Sequence, residues 1–183
     1  IQTSDSLVIK HKYGLRVGID ASKLARTFIE TDYRAFELNA DYRLTHRFYV
    51  AAEVGNEEHT TSTDYLNSTA KGSYLKAGVD YNMYTNWKGM ENMVYFGFRF
   101  GVSNFDQRLN SYTIYDPNNL TWGQTKVLEG KDFNGHRASW LELIFGFKAE
   151  VLNNLFMGIN IQIKGRLSET QPDNFENIYI PGF

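Results

Sequence analysis

"MVYFGFRFGVS", Met93 to Ser103, is the stretch whose reading decides the fold. Phe96, Phe98, Phe100 and Val102 alternate with Gly97, Arg99, Gly101 and Ser103. A period of two is that of a β-strand, because successive side chains point to opposite faces of the pleat. One face is large and apolar; the other mixes glycine with a charge. Which of them meets water separates a soluble sheet from one that lives in lipid.

The same alternation occurs in seven stretches. They are "LRVGIDA" (15–21), "RAFELNADY" (34–42), "FYVAAEV" (48–54), "YLKAGVDYNM" (74–83), the opening stretch, "WLELIFGFK" (140–148) and "FMGINIQIKGRL" (156–167). Helical periodicity competes in none of them. The connections fall at 25–32, 43–47, 56–71, 84–92, 104–137 and 150–155. From the second onward short and long alternate, which predicts an up-and-down meander with its long loops, 56–71, 104–137 and a terminal 168–183, at one end. Their Asn, Asp, Thr, Ser and Gly content reads as loop and not as a second domain.

Composition narrows the class. At 183 residues the chain is one domain. A net charge of −2 argues against nucleic acid as a partner. With no cysteine there is neither a disulfide framework nor thiolate chemistry. The apolar runs fall far short of the roughly 18 residues a membrane helix needs. The chain begins at Ile1 without a methionine, and a processed or trimmed product is expected.

The minor face of the strands settles the direction of the sheet. It carries Arg16, Lys76, Arg99, Lys148, Lys164 and Arg166 against Asp20, Glu37, Asp41, Glu53, Asp80 and Glu142, six charges of each sign. The same face holds Gly18, Gly55, Gly78, Gly97, Gly101, Gly146 and Gly158. Glycine on a solvated strand face weakens the sheet and packs nothing; inside a narrow barrel it makes room for a long neighbour. The opposite face is almost purely Leu, Ile, Val, Phe, Met and Ala. Tyr42, Phe48, Tyr84 and Trp87 lie near the short turns, where an aromatic belt marks a membrane interface. The expected fold is therefore all-β, an antiparallel up-and-down transmembrane barrel with Phe96, Phe98 and Phe100 toward lipid and Arg99 in the lumen. A soluble, lipocalin-like barrel is the alternative weighed against it.

With "YGLRVGID", "AEVG", "GVDYN", "HRASWLEL" and the tail "YIPGF", the chain resembles the small outer-membrane β-barrels of Bacteroidota that form a domain of unknown function, along essentially its whole length. The resemblance implies an eight-stranded, OmpA-type barrel in the outer membrane of a Gram-negative cell. Residues 1–13 are then a periplasmic leader and residues 14–183 the barrel with extracellular loops. Seven strands are countable, and "YIPGF" reads as the approach to an eighth that the chain lacks. "DSL" (5–7) matches a short O-glycosylation pattern of exported proteins in that group, making Ser6 a candidate.

Catalytic signatures are thin. His136, Ser139 and Glu142 in "HRASWLE" come nearest to a nucleophile, base and orienter, as in lipid A deacylases. Three positions apart on a strand, however, His136 and Ser139 point to opposite faces. His11, His46 and His59 have no metal-ligand spacing, and no cofactor is expected. Twelve balanced charges should pair and plug the lumen, whereas a selective pore usually shows one sign in excess. The long segment 104–137 carries Tyr112, Tyr115, Trp122 and Phe133, aromatics suited to an interface. The expectation is a non-enzymatic subunit of an outer-membrane complex. Its partners would be membrane lipids, lipopolysaccharide and other outer-membrane proteins or lipoproteins. A lipid-modifying enzyme and a narrow pore are the alternatives.

Overall fold

The computed structural model describes residues 14–84, 91–114, 117, 124–128 and 130–183. Its elements in chain order are β1 (Leu15–Ile19), α1 (Ala21–Ile29), β2 (Tyr33–Arg43), β3 (Phe48–Ser62) and β4 (Leu66–Asn82). They are followed by β5 (Met93–Ile114), β6 (Thr125–Val127), β7 (Lys131–Leu152) and β8 (Leu155–Glu169). All pairings are antiparallel in one eight-stranded sheet, in the order β1-β2-β3-β4-β5-β7-β8, with the short β6 beside β5. The sheet curls on itself. Lys148 on β7 reaches Asp41 on β2 at 2.7 Å, and the Arg16 guanidinium on β1 lies 5.4 Å from the Phe156 ring on β8.

Three expectations need correction. Segments 56–71 and 104–137 are for the most part not loops: β3 continues to Ser62, β5 to Ile114, and β7 starts at Lys131. The first connection is largely helix. Asp20 caps it, its carboxylate accepting from the backbone N–H of Ser22 and Lys23 at 2.8 and 3.2 Å. Finally, "YIPGF" does not begin another strand but turns into the interior beneath β8 (below). β1 and β8 end the path, and no ladder joins them among the described residues. Ile159, Ile161 and Ile163 on β8 accordingly stand 70–74% exposed, against 42–52% for Leu143, Phe145 and Phe147 on β7.

Four of the long strands, β2 to β5, change outward character partway along their length. On β5 the outward side chains are Val94, Phe96, Phe98, Phe100 and Val102, then Asn104, Asp106 and Arg108. The switch recurs at Val54/Asn56 on β3, Leu75/Ser73 on β4 and Phe36/Arg34 on β2. The inside differs between the two parts as well. Arg99 is 3% exposed at the level of the outward phenylalanines, whereas Phe105, Leu109 and Phe133 are buried inward above it. The lower part is thus apolar outside and encloses the charges beside a buried cluster of Tyr49, Met93, Tyr95 and Ile144; the upper part turns Asn104, Asp106 and Arg108 outward. Among the described residues no helix is long and apolar enough to cross a membrane.

Inward glycines stand opposite bulky partners in register: Gly55 faces Tyr74, Gly101 faces Trp140 and Gly146 faces Tyr95. A Cβ on Gly146 would meet the Tyr95 ring at 2.6 Å, and one on Gly101 would collide with the Trp140 indole. Small opposite large fills a tightly curled interior.

Candidate functional site

The interior is the chemically dense part of the molecule. Strand alternation brings Glu37, Asp41, Glu53, Lys76, Asp80, Arg99 and Glu142 to one enclosed face, all buried. Lys76 Nζ sits among three carboxylates, 2.9 Å from Glu53, 3.5 Å from Glu37 and 3.6 Å from Glu142. Arg99 grips Asp80 through both terminal nitrogens, at 2.6 and 3.1 Å, and turns its Nε to Glu53 at 3.2 Å. Arg16 and Lys148 share Asp41, at 2.6 and 2.7 Å. Lys164 lies 3.4 Å from Glu142, which also accepts the Trp140 indole N–H at 2.7 Å.

Ten of the twelve charges read from the sequence belong to this lattice. Asp20 instead caps α1, and Arg166 pairs with Glu169 at 2.7 Å, half exposed. Two charges not anticipated take their places. Glu57 continues the inward phase of Glu53 along β3, a signal hidden by reading 56–71 as loop. Lys23 comes from α1, which no strand pattern announces; it lies 3.2 Å from Glu37 and 3.5 Å from Glu57. The balance stays at six against six.

Glu57 is the anchor of the C-terminal tail. Its Oε1 accepts from the hydroxyls of Tyr33, at 2.6 Å, and Tyr179, while Oε2 accepts the Gly182 N–H at 2.8 Å. The Gly182 carbonyl accepts from Lys164 at 2.9 Å. Gln107 holds the entering chain from both sides: its amide N–H donates to the Glu176 carbonyl, and its oxygen accepts the Ile178 N–H, each at 2.9 Å. Ile180 is buried with Tyr74, Phe105, Ala138 and Trp140, and Phe183 meets Trp140 edge-on at 5.9 Å. Gly182 has φ +84°, a left-handed turn that suits glycine, and lies against the Tyr74 ring.

Burial pushes the Glu57 carboxyl up. The Lys23 charge and the hydrogen bonds from Tyr179, Tyr33 and Gly182 outweigh this and leave its pKa lowered. Burial and the same carboxylate raise the Tyr33 and Tyr179 hydroxyls, so all three groups keep their ordinary forms near neutrality.

The remaining candidates do not converge. His136 points inward, buried against the Phe105 and Phe133 rings, with Nδ1 3.1 Å from the Thr170 carbonyl. Ser139 faces outward and shares a 2.8 Å hydrogen bond with Ser168. The two lie on opposite faces of β7. Among the interface aromatics, Phe133 is buried and stacks on Phe175 at 5.4 Å, and so is not a free surface group. Tyr112 lies on β5, paired in register with Leu66 and Val127. Tyr115, Trp122, Trp87, Ser6 and the leader 1–13 lie outside the described residues. Among the described residues no group of three His, Cys, Asp or Glu side chains is placed to hold a metal.

The chain belongs to the family described as Domain of unknown function (DUF6048), whose model matches residues 1–183. No curated protein and no solved structure matches it.

Proposed function

We propose that this chain is an integral outer-membrane β-barrel protein of a Gram-negative bacterium of the Bacteroidota. It works by contact, as a structural or assembly subunit of a larger outer-membrane complex. The observation that carries this reading is the change of the outward face along β2, β3, β4 and β5 from Val, Leu and Phe to Asn, Asp, Arg and Ser. From Val94 to Val102 the apolar side chains cover eight residue steps of β5. That is about 26 Å along the strand, or ~20 Å of height at a tilt of ~40°, close to the apolar band of a membrane barrel. Water on both sides gives a strand no reason to invert its pattern partway; a lipid–water boundary does. Above that change Asn104, Asp106 and Arg108 face outward and Phe105 and Phe133 inward, so the hairpins there stand clear of lipid as a sheet-like crown, outside the cell, with the N-terminus periplasmic.

The paired interior favours a self-plugged barrel over a pore. Placement of His136 and Ser139 on opposite faces favours a contact role over lipid hydrolysis. Because the chain has no cysteine, single cysteines report its surroundings directly. Asn104→Cys should react with a membrane-impermeant maleimide in intact membranes and Phe98→Cys should not; equal labelling of both refutes the membrane reading. For the contact role, deletion of residues 116–123, between β5 and β6, should leave the protein inserted and heat-stable while a co-purifying partner is lost. Ser139→Ala should leave lipid A acylation unchanged, and an altered acylation pattern would establish the enzyme instead.

A further inference from the structure

The outer surface of the sheet is not smooth. At the level where the apolar belt ends, it dips into an open hollow of about 690 Å³ spanning β3, β4, β5, β7 and β8. Two cross-strand rows build it. In the lower row Val54, Leu75 and Val102 pair in register and continue into Ser139 and Ser168. In the upper row Ser73, Asn104 and Arg137 are register neighbours, and the Thr170 N–H donates to the Arg137 carbonyl at 2.8 Å. The floor toward β3–β5 is aliphatic, and the wall toward β7–β8 is made of hydroxyls and a cation.

This wall has unspent hydrogen-bonding capacity. The Ser139 and Ser168 hydroxyls lie 2.8 Å apart, so one donates to the other and the second hydroxyl proton is free for another acceptor. Arg137 has no carboxylate within ion-pair distance among the described residues, while the acid in the hollow, Glu169, is taken up by Arg166 at 2.7 Å. The local field is that of one unpaired guanidinium beside hydroxyl donors, directly above exposed aliphatic side chains.

We propose that this hollow holds one lipid with an anionic phosphorylated head group. The phosphate oxygens meet the Arg137 guanidinium and the serine pair, and an acyl chain lies on Val54, Leu75 and Val102. Arginine suits phosphate because its planar fork donates two parallel hydrogen bonds. The height of the site on the strands places the head at the boundary the belt marks, where a lipid phosphate sits. The inference rests on the membrane reading and names the ligand of one place on the barrel wall.

The test compares the full-length protein in phosphatidylcholine bilayers with and without phosphatidic acid, reading thermal stability and lipid retention by native mass spectrometry. Phosphatidic acid should be retained and should raise the melting point. Arg137→Gln should weaken retention roughly tenfold, the loss of one charge-assisted hydrogen-bonding group. Ser139→Ala/Ser168→Ala should weaken it less, and Arg34→Gln, an exposed arginine above the belt on β2, should leave it unchanged. Equal behaviour in both bilayers, or retention untouched by Arg137→Gln, overturns the site. Inorganic phosphate alone reproducing the stabilisation overturns the lipid and leaves an anion site. Failure to insert in either bilayer overturns the membrane reading instead, and the two failures are told apart by that readout.

Discussion

Arg99→Met is the most informative single change. The substitution keeps length and apolar bulk but removes the partner that Asp80 holds through both oxygens and that Glu53 shares with Lys76. Asp80 is fully buried, so its carboxylate is left without a cation and without water. Stranding one member of a buried pair costs about 3–5 kcal/mol. For a chain of this size each kcal/mol lowers the midpoint by ~2–4 °C, so thermal unfolding in detergent should move down by roughly 10 °C. The assay is far-UV circular dichroism on wild type, Arg99→Met and Arg99→Met/Asp80→Asn. The second change removes the stranded charge and should recover a large part of the loss, because Glu53 keeps Lys76. If Arg99→Met melts within about 2 °C of wild type, less than ~1 kcal/mol was at stake and the interior is wet. If Asp80→Asn brings no recovery, the loss comes from packing and the ion-pair argument fails.

Acid should loosen the tail. The folded pKa of Glu57 lies below the ordinary carboxylate value. Its contribution is therefore complete above the unfolded value of about 4.3 and is lost as pH falls through the folded one. Protection of the Gly182 amide, taken relative to the intrinsic exchange rate at each pH, should fall over that acid range in wild type, and Glu57→Gln should remove that acid-dependent loss; an unchanged protection profile in the variant refutes the assignment. Gly101→Val drives a side chain into the Trp140 indole and should cost about 1–3 kcal/mol. Combined with Trp140→Ala the two losses should be clearly less than additive, and simple additivity in urea melts would show that the ring and the glycine do not meet.

Most of the sheet was legible because its lower strands carry the period of two at full amplitude. Phe96 to Val102 against Gly97 to Ser103 reads as a strand and as nothing helical. The crown was missed for the opposite reason. Residues 56–71, with Glu57, Glu58, His59 and a run of Thr and Ser, are polar on both faces, so the period of two is there but has little contrast. Further along β5 the alternation continues through Phe105, Gln107 and Leu109 with its phase inverted, which looks like its end when only outward apolar residues are counted. Helix α1 hid behind Asp20, read as the last inward charge of a strand when its carboxylate was a helix cap. The tail had no periodic signal: Pro181 and Gly182 break any strand pattern, and Ile180 is buried by contacts with β4, β5 and β7 that adjacency in sequence does not reveal. In the charge lattice, strand-borne members were recoverable by parity alone, and Lys23, delivered by a helix, was not.

The tail also imposes an order in time. Each hairpin joins strands that are neighbours in the chain and closes at modest entropic cost, whereas the contact between Gly182 and Glu57 bridges 125 positions. Residues 170–183 reach Glu57 only from the upper end of β8, so β8 must already lie on β7 before they can enter. Until then Glu57 has Tyr33 and Lys23 alone, and the pocket of Tyr74, Phe105 and Trp140 stands open to water. Sealing of the interior is therefore expected as the last event of folding, with protection of the Gly182 amide in pulse-labelled hydrogen exchange lagging that of the hairpin amides; simultaneous protection would refute this order.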